Sequence, residues 1–212
     1  MKLKTEIPVL ILCILPLLYL SYIWDALPSK IPTQWNIKGE IDGWGGKNST
    51  FFLSAFPFFT YLMMVIIPKI DPKNKLAQMG SKYTQLKFML VAFMSILSLS
   101  ILYITKTQNF DNFKIELLIG LLFLGLGNYF QTVKPNYFIG IKTPWTLESE
   151  TVWKKTHQLG GKLWMLGGIL IVICSLLLSK QYIGYTMMAI IAVISIIPIA
   201  YSYFEFKKTK QL

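Results

Sequence analysis

Arginine is absent. All 21 basic residues of the 212-residue chain are lysine, so nothing in it can form the planar fork that reads base edges bidentately in nucleic acid. No direct nucleic-acid partner is expected. There is one histidine, His157, which excludes a multi-histidine metal centre. The two cysteines, Cys13 and Cys174, both fall inside apolar runs. They read as small buried hydrophobes, and no disulfide framework is expected. Charge is scarce too. Charged residues make up 15%, where a soluble domain carries about 25%. No HExxH, GxSxG or phosphate-cradling Gly-Lys motif occurs, so no enzyme, cofactor or metal site is expected.

What the chain has in excess is apolar sequence: 54% hydrophobic residues and a mean hydropathy of +0.51. Six charge-free stretches approach or meet the ~20 residues that span a bilayer core: 7–24, 51–68, 88–105, 117–133, 163–179 and 181–204. The fold class this implies is an all-α integral membrane protein with six transmembrane helices. The first stretch reads as an uncleaved helix, because "IWDALPSK" offers no small-residue cleavage site. Lys180 between the last two predicts a tight hairpin near "SKQYIG". No Asp, Glu, Lys or His falls inside the six stretches, which disfavours an ion-coupled transporter; a passive transporter is the weakest alternative. Glu116 is expected at the outer edge of the fourth span. Asn128 and Gln131 are expected to make interhelical hydrogen bonds, and Gly120, Gly125 and Gly127 to admit a neighbouring helix closely.

Lysine sets the direction. The N-terminus, second loop, fourth loop and C-terminal tail hold fifteen of the 21 lysines and the other loops six, whereas the acids divide evenly. The positive-inside rule then puts both termini and the fourth loop on the cytoplasmic side of the membrane. The net charge of +11 fits attraction to anionic lipid headgroups, making membrane lipids the first expected partner.

Two loops stand out. The outer loop, 25–50, shows no helical or strand period, yet Trp35 and Trp44 make it too apolar for a linker. It reads as a compact cap on the outer leaflet, with both tryptophans either interfacial anchors or ligand contacts. The inner loop, 134–162, contains "TPWTLESE", in which Thr143 before Pro144 and the following acids suit a helix start. A helix over 147–159 is expected to lie in the inner interface, with Trp153, Thr156 and His157 on one face and Lys154, Lys155 and Lys162 on another. Gly160 and Gly161 would then permit a sharp turn into the fifth span or close helix packing.

The segment "GNYFQTVKPNYFIGIKTPWTLESETVWKKTHQLGGK" resembles the signature region of the SdpI family of membrane proteins, known for immunity to a secreted peptide toxin. Gly127 and Asn128 match its first element. Asn136, Gly140, Thr143, Pro144, Trp145, Thr146 and Leu147 match its core, and Glu150, Val152, Trp153 and His157 the helix that follows. Lys142 stands where the family commonly has arginine. The outer "LPSKIPTQWNIKGEIDGW" also resembles the N-terminal domain that often accompanies this signature. The resemblance implies an N-terminal membrane domain over 1–87 and an SdpI-like membrane domain over 88–212. It implies immunity to a secreted antimicrobial peptide toxin, and a receptor that holds a cytoplasmic transcriptional repressor at the membrane. The alternative is a membrane sensor without an immunity role. Asn128, Asn136, Gly140, Lys142, Thr143, Pro144, Trp145, Thr146, Trp153 and His157 become the expected partner-binding residues, and Trp35 and Trp44 the expected outer ligand contacts.

Overall fold

Long apolar helices run back and forth through the chain, joined by short connections. The computed structural model describes residues 3–110 and 114–210, with side chains from Thr5 onward, so Lys2 of the charge balance and the Lys4 side chain lie outside the described residues. The elements are α1 (Leu3–Ile23), β1 (Lys30–Trp35), β2 (Ile41–Gly46), α2 (Ser49–Ile70), α3 (Ser81–Thr107), α4 (Ile115–Phe130), α5 (Pro144–Glu148), α6 (Glu150–Leu177) and α7 (Lys180–Lys210). Among the described residues, five helices are long and apolar enough to cross a membrane: Thr5–Ala26, Ser49–Ile70, Ser81–Thr107, Glu150–Leu177 and Lys180–Lys210. Large apolar side chains such as Leu18, Met63 and Ile196 point outward from them, as lipid requires and water forbids. The chain is an all-α integral membrane protein.

The fourth expected span is the 16-residue α4. At 1.5 Å per residue it reaches about 24 Å, short of a ~30 Å hydrocarbon core. It packs along α6. A Cβ on Gly161 would lie 2.5 Å from the Gly127 carbonyl oxygen, and one on Gly168 would lie 2.7 Å from that of Gly120. Glycine lets the two backbones approach this closely. Gly125 instead faces Met89 of α3. Helices α1, α2 and α3 pack on one another, α4, α6 and α7 do the same, and α3 meets α4 along the seam.

The helices alternate in direction, which puts the two distinctive loops at opposite ends of the bundle. Lys73 beside Tyr137 and Thr143 beside Ser202 mark the end that carries the signature loop. Gly39 against Lys180 and Ile37 against Gly184 mark the end that carries the β-strands. The α6–α7 connection is the expected tight hairpin.

Helix α3 repairs the backbone of its neighbours. Proline has no N–H, so in a helix it leaves the carbonyl four residues earlier without its partner. Pro16 of α1 frees Leu12, and the Ser95 hydroxyl donates to that oxygen at 2.8 Å. Pro57 of α2 frees Leu53, which accepts from Ser98 at 2.9 Å. Pro68 frees Met64, which accepts from the Tyr83 hydroxyl at 2.7 Å. Three hydroxyls on one helix thus serve three carbonyls that prolines of its two neighbours leave free.

Three expectations change. The outer loop is not strandless: β1 and β2 form an antiparallel hairpin, with register shifts around Gln34. Those irregularities break the period-two signal in β1, whose burial pattern does not alternate. The tip is an Asx turn, Asn36 Oδ1 accepting from the N–H of Lys38 and Glu40, with Gly39 at φ +76°. Second, the inner interfacial helix over 147–159 does not exist as a separate element. Thr143 caps only the five-residue α5; Ser149 then caps a new helix, α6, that runs unbroken through Gly160 and Gly161 to Leu177. The apolar face holding Trp153 and His157 is buried in the bundle rather than laid on lipid. Third, an ionisable pair does lie inside the helices. Glu6 and Lys87 flank the apolar stretches by one residue, but α1 and α3 extend past them. The two side chains meet at 2.6 Å, each about 95% buried.

Candidate functional site at the signature loop

Residues 131–149 cross the end of the bundle without regular structure until α5, and most of their polar side chains are engaged. Asn136 is buried and uses its whole amide. Its Oδ1 accepts from the N–H of Phe138 and Ile139, and its Nδ2 donates to the carbonyls of Lys134 and Ile139. This folds 134–139 into a closed turn. Gly140 follows at φ +119°, a conformation that only glycine adopts freely. That turn aims the N–H of Ile141 at Nε2 of His157, 2.8 Å away.

His157 is a bolt rather than a base. Its Nδ1–H donates to the Trp153 carbonyl at 2.8 Å, which leaves Nε2 free to accept from Ile141. The ring is 1% exposed, stacks on Trp153 with centroids 4.0 Å apart, and meets Phe130 edge-on. Trp153 is also 1% exposed and donates its indole N–H to the carbonyl of Val133 at 2.9 Å. Two adjacent turns of α6 therefore hold both ends of the loop, at Val133 and at Ile141.

The TPWT core ties the same loop to α7. Thr143 and Thr146 form a reciprocal capping box at the start of α5, with Pro144 at the first helical position. The Thr146 hydroxyl reaches back to the carbonyl of Ile141 at 2.9 Å, and the Thr143 hydroxyl meets Ser202 of α7 at 3.1 Å. Trp145 packs edge-on against Tyr203. Lys155 of α6 pairs with Glu205 of α7 beside them. Lys142 donates to the carbonyls of Tyr137 and Phe138 at 3.1 and 3.3 Å. Lys73, from the connection after α2, donates to the Tyr137 hydroxyl at 2.8 Å, and that bond lowers the pKa of the phenol.

Asn136, Gly140, Lys142, Thr143, Pro144, Trp145, Thr146, Trp153 and His157 thus stand together. Asn128 does not join them. It is exposed on α4 and borders a ~180 Å³ cleft with Lys82, Gln85 and Tyr129. Gln131, expected to bond between helices, points its amide at the Met165 sulfur, 3.1 Å away. Trp35 and Trp44 lie at the opposite end, Trp44 56% exposed and Trp35 half-buried. Sequence reasoning missed Ser149, Ser202 and Tyr203. Ser149 carried a signal, a hydroxyl three residues before Val152, whose N–H it accepts. The two α7 residues carried none. Beside the loop, Lys134, Lys154 and Lys155 line a ~780 Å³ groove with Glu150, Thr151 and Gln158.

The comparisons fall on the same two regions. The SdpI/YfhL protein family matches residues 132–202, and a domain of unknown function, DUF1648, matches residues 11–58. The chain is 29% identical over 213 residues to a Bacillus subtilis (strain 168) protein named Immunity protein SdpI, covering 97% of each. No solved structure matches.

Proposed function

With residues 132–202 belonging to the SdpI/YfhL protein family, we propose that the chain is a multi-pass membrane protein giving immunity to a secreted antimicrobial peptide toxin. The observation that carries this is similarity to Immunity protein SdpI along 97% of both chains, through both loops as well as the helices. The lysine balance supports the signature loop and both termini on the cytoplasmic side, with the β-hairpin outside. Catalysis has no place in this reading. Of the two units, 1–87 and 88–212, the second takes most of α3, which packs on α1 and α2 of the first, and the hairpin of the first rests on α7 of the second.

The roles follow from that topology. A toxin arrives at the hairpin end. Asn136, Gly140, Thr143, Thr146, Trp153 and His157 act at the other end, where they lock the loop onto α6 and α7. A signalling role, capture of a cytoplasmic transcriptional repressor, draws support from the lysine-lined groove beside that lock.

Expression of the full chain in a sensitive bacterium, challenged with secreted antimicrobial peptides from neighbouring strains, tests the reading. Higher survival against at least one peptide is expected; killing unchanged by every one of them would sink it. For the signalling arm, affinity capture of the membrane protein should recover a small DNA-binding protein. Recovery unchanged when Lys154 and Lys155 are both replaced by alanine would sink the groove as its contact.

A further inference from the structure

We propose that the cleft between α3 and α4, at the signature-loop end of the bundle, holds the headgroup of an anionic phospholipid. The proposal goes beyond the immunity reading and does not depend on it. The cleft, about 180 Å³, is lined by Lys82, Gln85 and Met89 of α3 and by Gly125, Asn128 and Tyr129 of α4. No carboxylate stands in its lining. Lys82, Gln85 and Asn128 are exposed. None of these three side chains has a hydrogen bond or ion pair with another described residue. Asn128, the signature asparagine that takes no part in the loop lock, belongs to this group.

The chemistry of the lining selects an anion. An ammonium and two amide NH2 groups are donors. Lys82 and Gln85 lie in the first two turns of α3, whose N-cap, Gly80, supplies no side-chain cap and whose first turn holds no acid. The positive end of that helix therefore adds to the Lys82 charge. A phosphodiester offers one negative charge and enough acceptor oxygens for all three groups. The lysine supplies the attraction and the amides orient the phosphate. A cleft of this size admits such a group and not a folded peptide.

The surface next to the cleft selects a lipid over a free phosphate. Leu121 lies two turns from Asn128 on the same face of α4 and is 51% exposed, and Phe88 lies one turn from Gln85 on α3 and is 45% exposed. Helical rise puts Leu121 about 10 Å further into the bilayer than Asn128. A polar rim above an apolar wall matches a headgroup above its acyl chains. Helix α4 has only 16 residues, and a span shorter than the hydrocarbon core thins the bilayer around it. Headgroups are then drawn in to the level of Asn128, whose amide would otherwise face hydrocarbon unpaired. The lipid touches both α3 and α4, so it bridges the seam along which the two groups of helices meet.

The full chain in a neutral detergent tests this. It is titrated with phosphatidylglycerol, with phosphatidylcholine or with inorganic phosphate, and bound molecules are counted by native mass spectrometry. Phosphatidylglycerol is expected to bind in preference to the other two. Lys82→Gln should weaken that binding about fivefold, the worth of one lysine near anionic lipid, and adding Asn128→Leu should weaken it further. Lys69→Gln removes the same charge from an exposed site at the same end and should leave it unchanged. Because the cleft residues are exposed and without internal partners, the variants should keep the helical circular dichroism of the unaltered chain. Phosphatidylglycerol should also raise the unfolding midpoint of the unaltered chain more than that of the double variant. Equal binding of the two lipids, or an equal loss with Lys69→Gln, would overturn the proposal. So would phosphatidylglycerol binding unchanged in the double variant. Inorganic phosphate bound as tightly as phosphatidylglycerol would make the cleft a free-anion site and overturn the lipid.

Discussion

Tyr83 donates its hydroxyl to the carbonyl of Met64, the acceptor that Pro68 leaves without a helical partner. The relationship makes a sharp prediction, because two different changes act on one oxygen. Tyr83→Phe orphans the carbonyl and should cost about 1 kcal/mol, in the range of measured hydrogen bonds between membrane helices. Pro68→Ala restores an N–H to the same oxygen, so the Tyr83→Phe cost should shrink in that background. Unfolding in mixed micelles, run as a double-mutant cycle, reads the coupling. Strictly additive effects would show that the hydroxyl does not serve the proline.

Gly140 predicts the largest single effect in the signature loop. A Cβ there would lie 2.4 Å from Nε2 of His157, and φ is +119°. Gly140→Ala combines backbone strain of about 1–3 kcal/mol with displacement of the ring that accepts from Ile141. His157→Ala leaves that buried N–H unpaired at about 1–3 kcal/mol, and His157→Gln should recover part of it by offering an amide oxygen. Thermal unfolding followed by tryptophan fluorescence in detergent checks both. A Gly140→Ala midpoint equal to that of the unaltered chain would refute the bolt.

The pattern of what was legible in the sequence has a physical cause. Apolar length predicts membrane helices because lipid punishes any other backbone, and it located all five long helices. The glycines at 120 and 127 were readable as close approaches because a missing side chain has few other uses inside a span. The hairpin was not readable, since bulges at Gln34 and a glycine-rich β2 erase alternation. Helix α6 was cut in the wrong place because Trp, His and Lys imitate an interfacial pattern, and only the bundle decides that Trp153 is covered. Ser202 and Tyr203 could not be linked to Thr143 and Trp145, because the pairing is made by the fold across more than fifty residues. Glu6 and Lys87 each border an apolar run in the sequence, and only the fold pairs them across 81 residues.

That ion pair carries its own prediction. Both side chains are about 95% buried and Lys87 donates to both carboxylate oxygens, at 2.6 and 2.8 Å. Removing one partner strands the other. Lys87→Met should therefore destabilise the bundle by about 3–5 kcal/mol, whereas Glu6→Gln with Lys87→Met should return much of that loss. Denaturant midpoints of the two variants decide the matter. A double variant worse than Lys87→Met would mean that the pair contributes through something other than compensating charge.

The last prediction separates the hairpin from the bundle. Ile37 approaches Gly184 so closely that any Cβ on α7 there must push it away, because the obstacle is backbone and cannot rotate aside. The contact lies at the tip of the hairpin, while α7 is held elsewhere by α6 and by the TPWT lock. Gly184→Ala should then free the hairpin without unfolding the helices. In nanodiscs, limited proteolysis after the lysine at the hairpin tip, Lys38, should accelerate, while helical circular dichroism and the unfolding midpoint stay close to those of the unaltered chain. Unchanged cleavage at Lys38 would mean that the hairpin is anchored by contacts other than the one at Gly184.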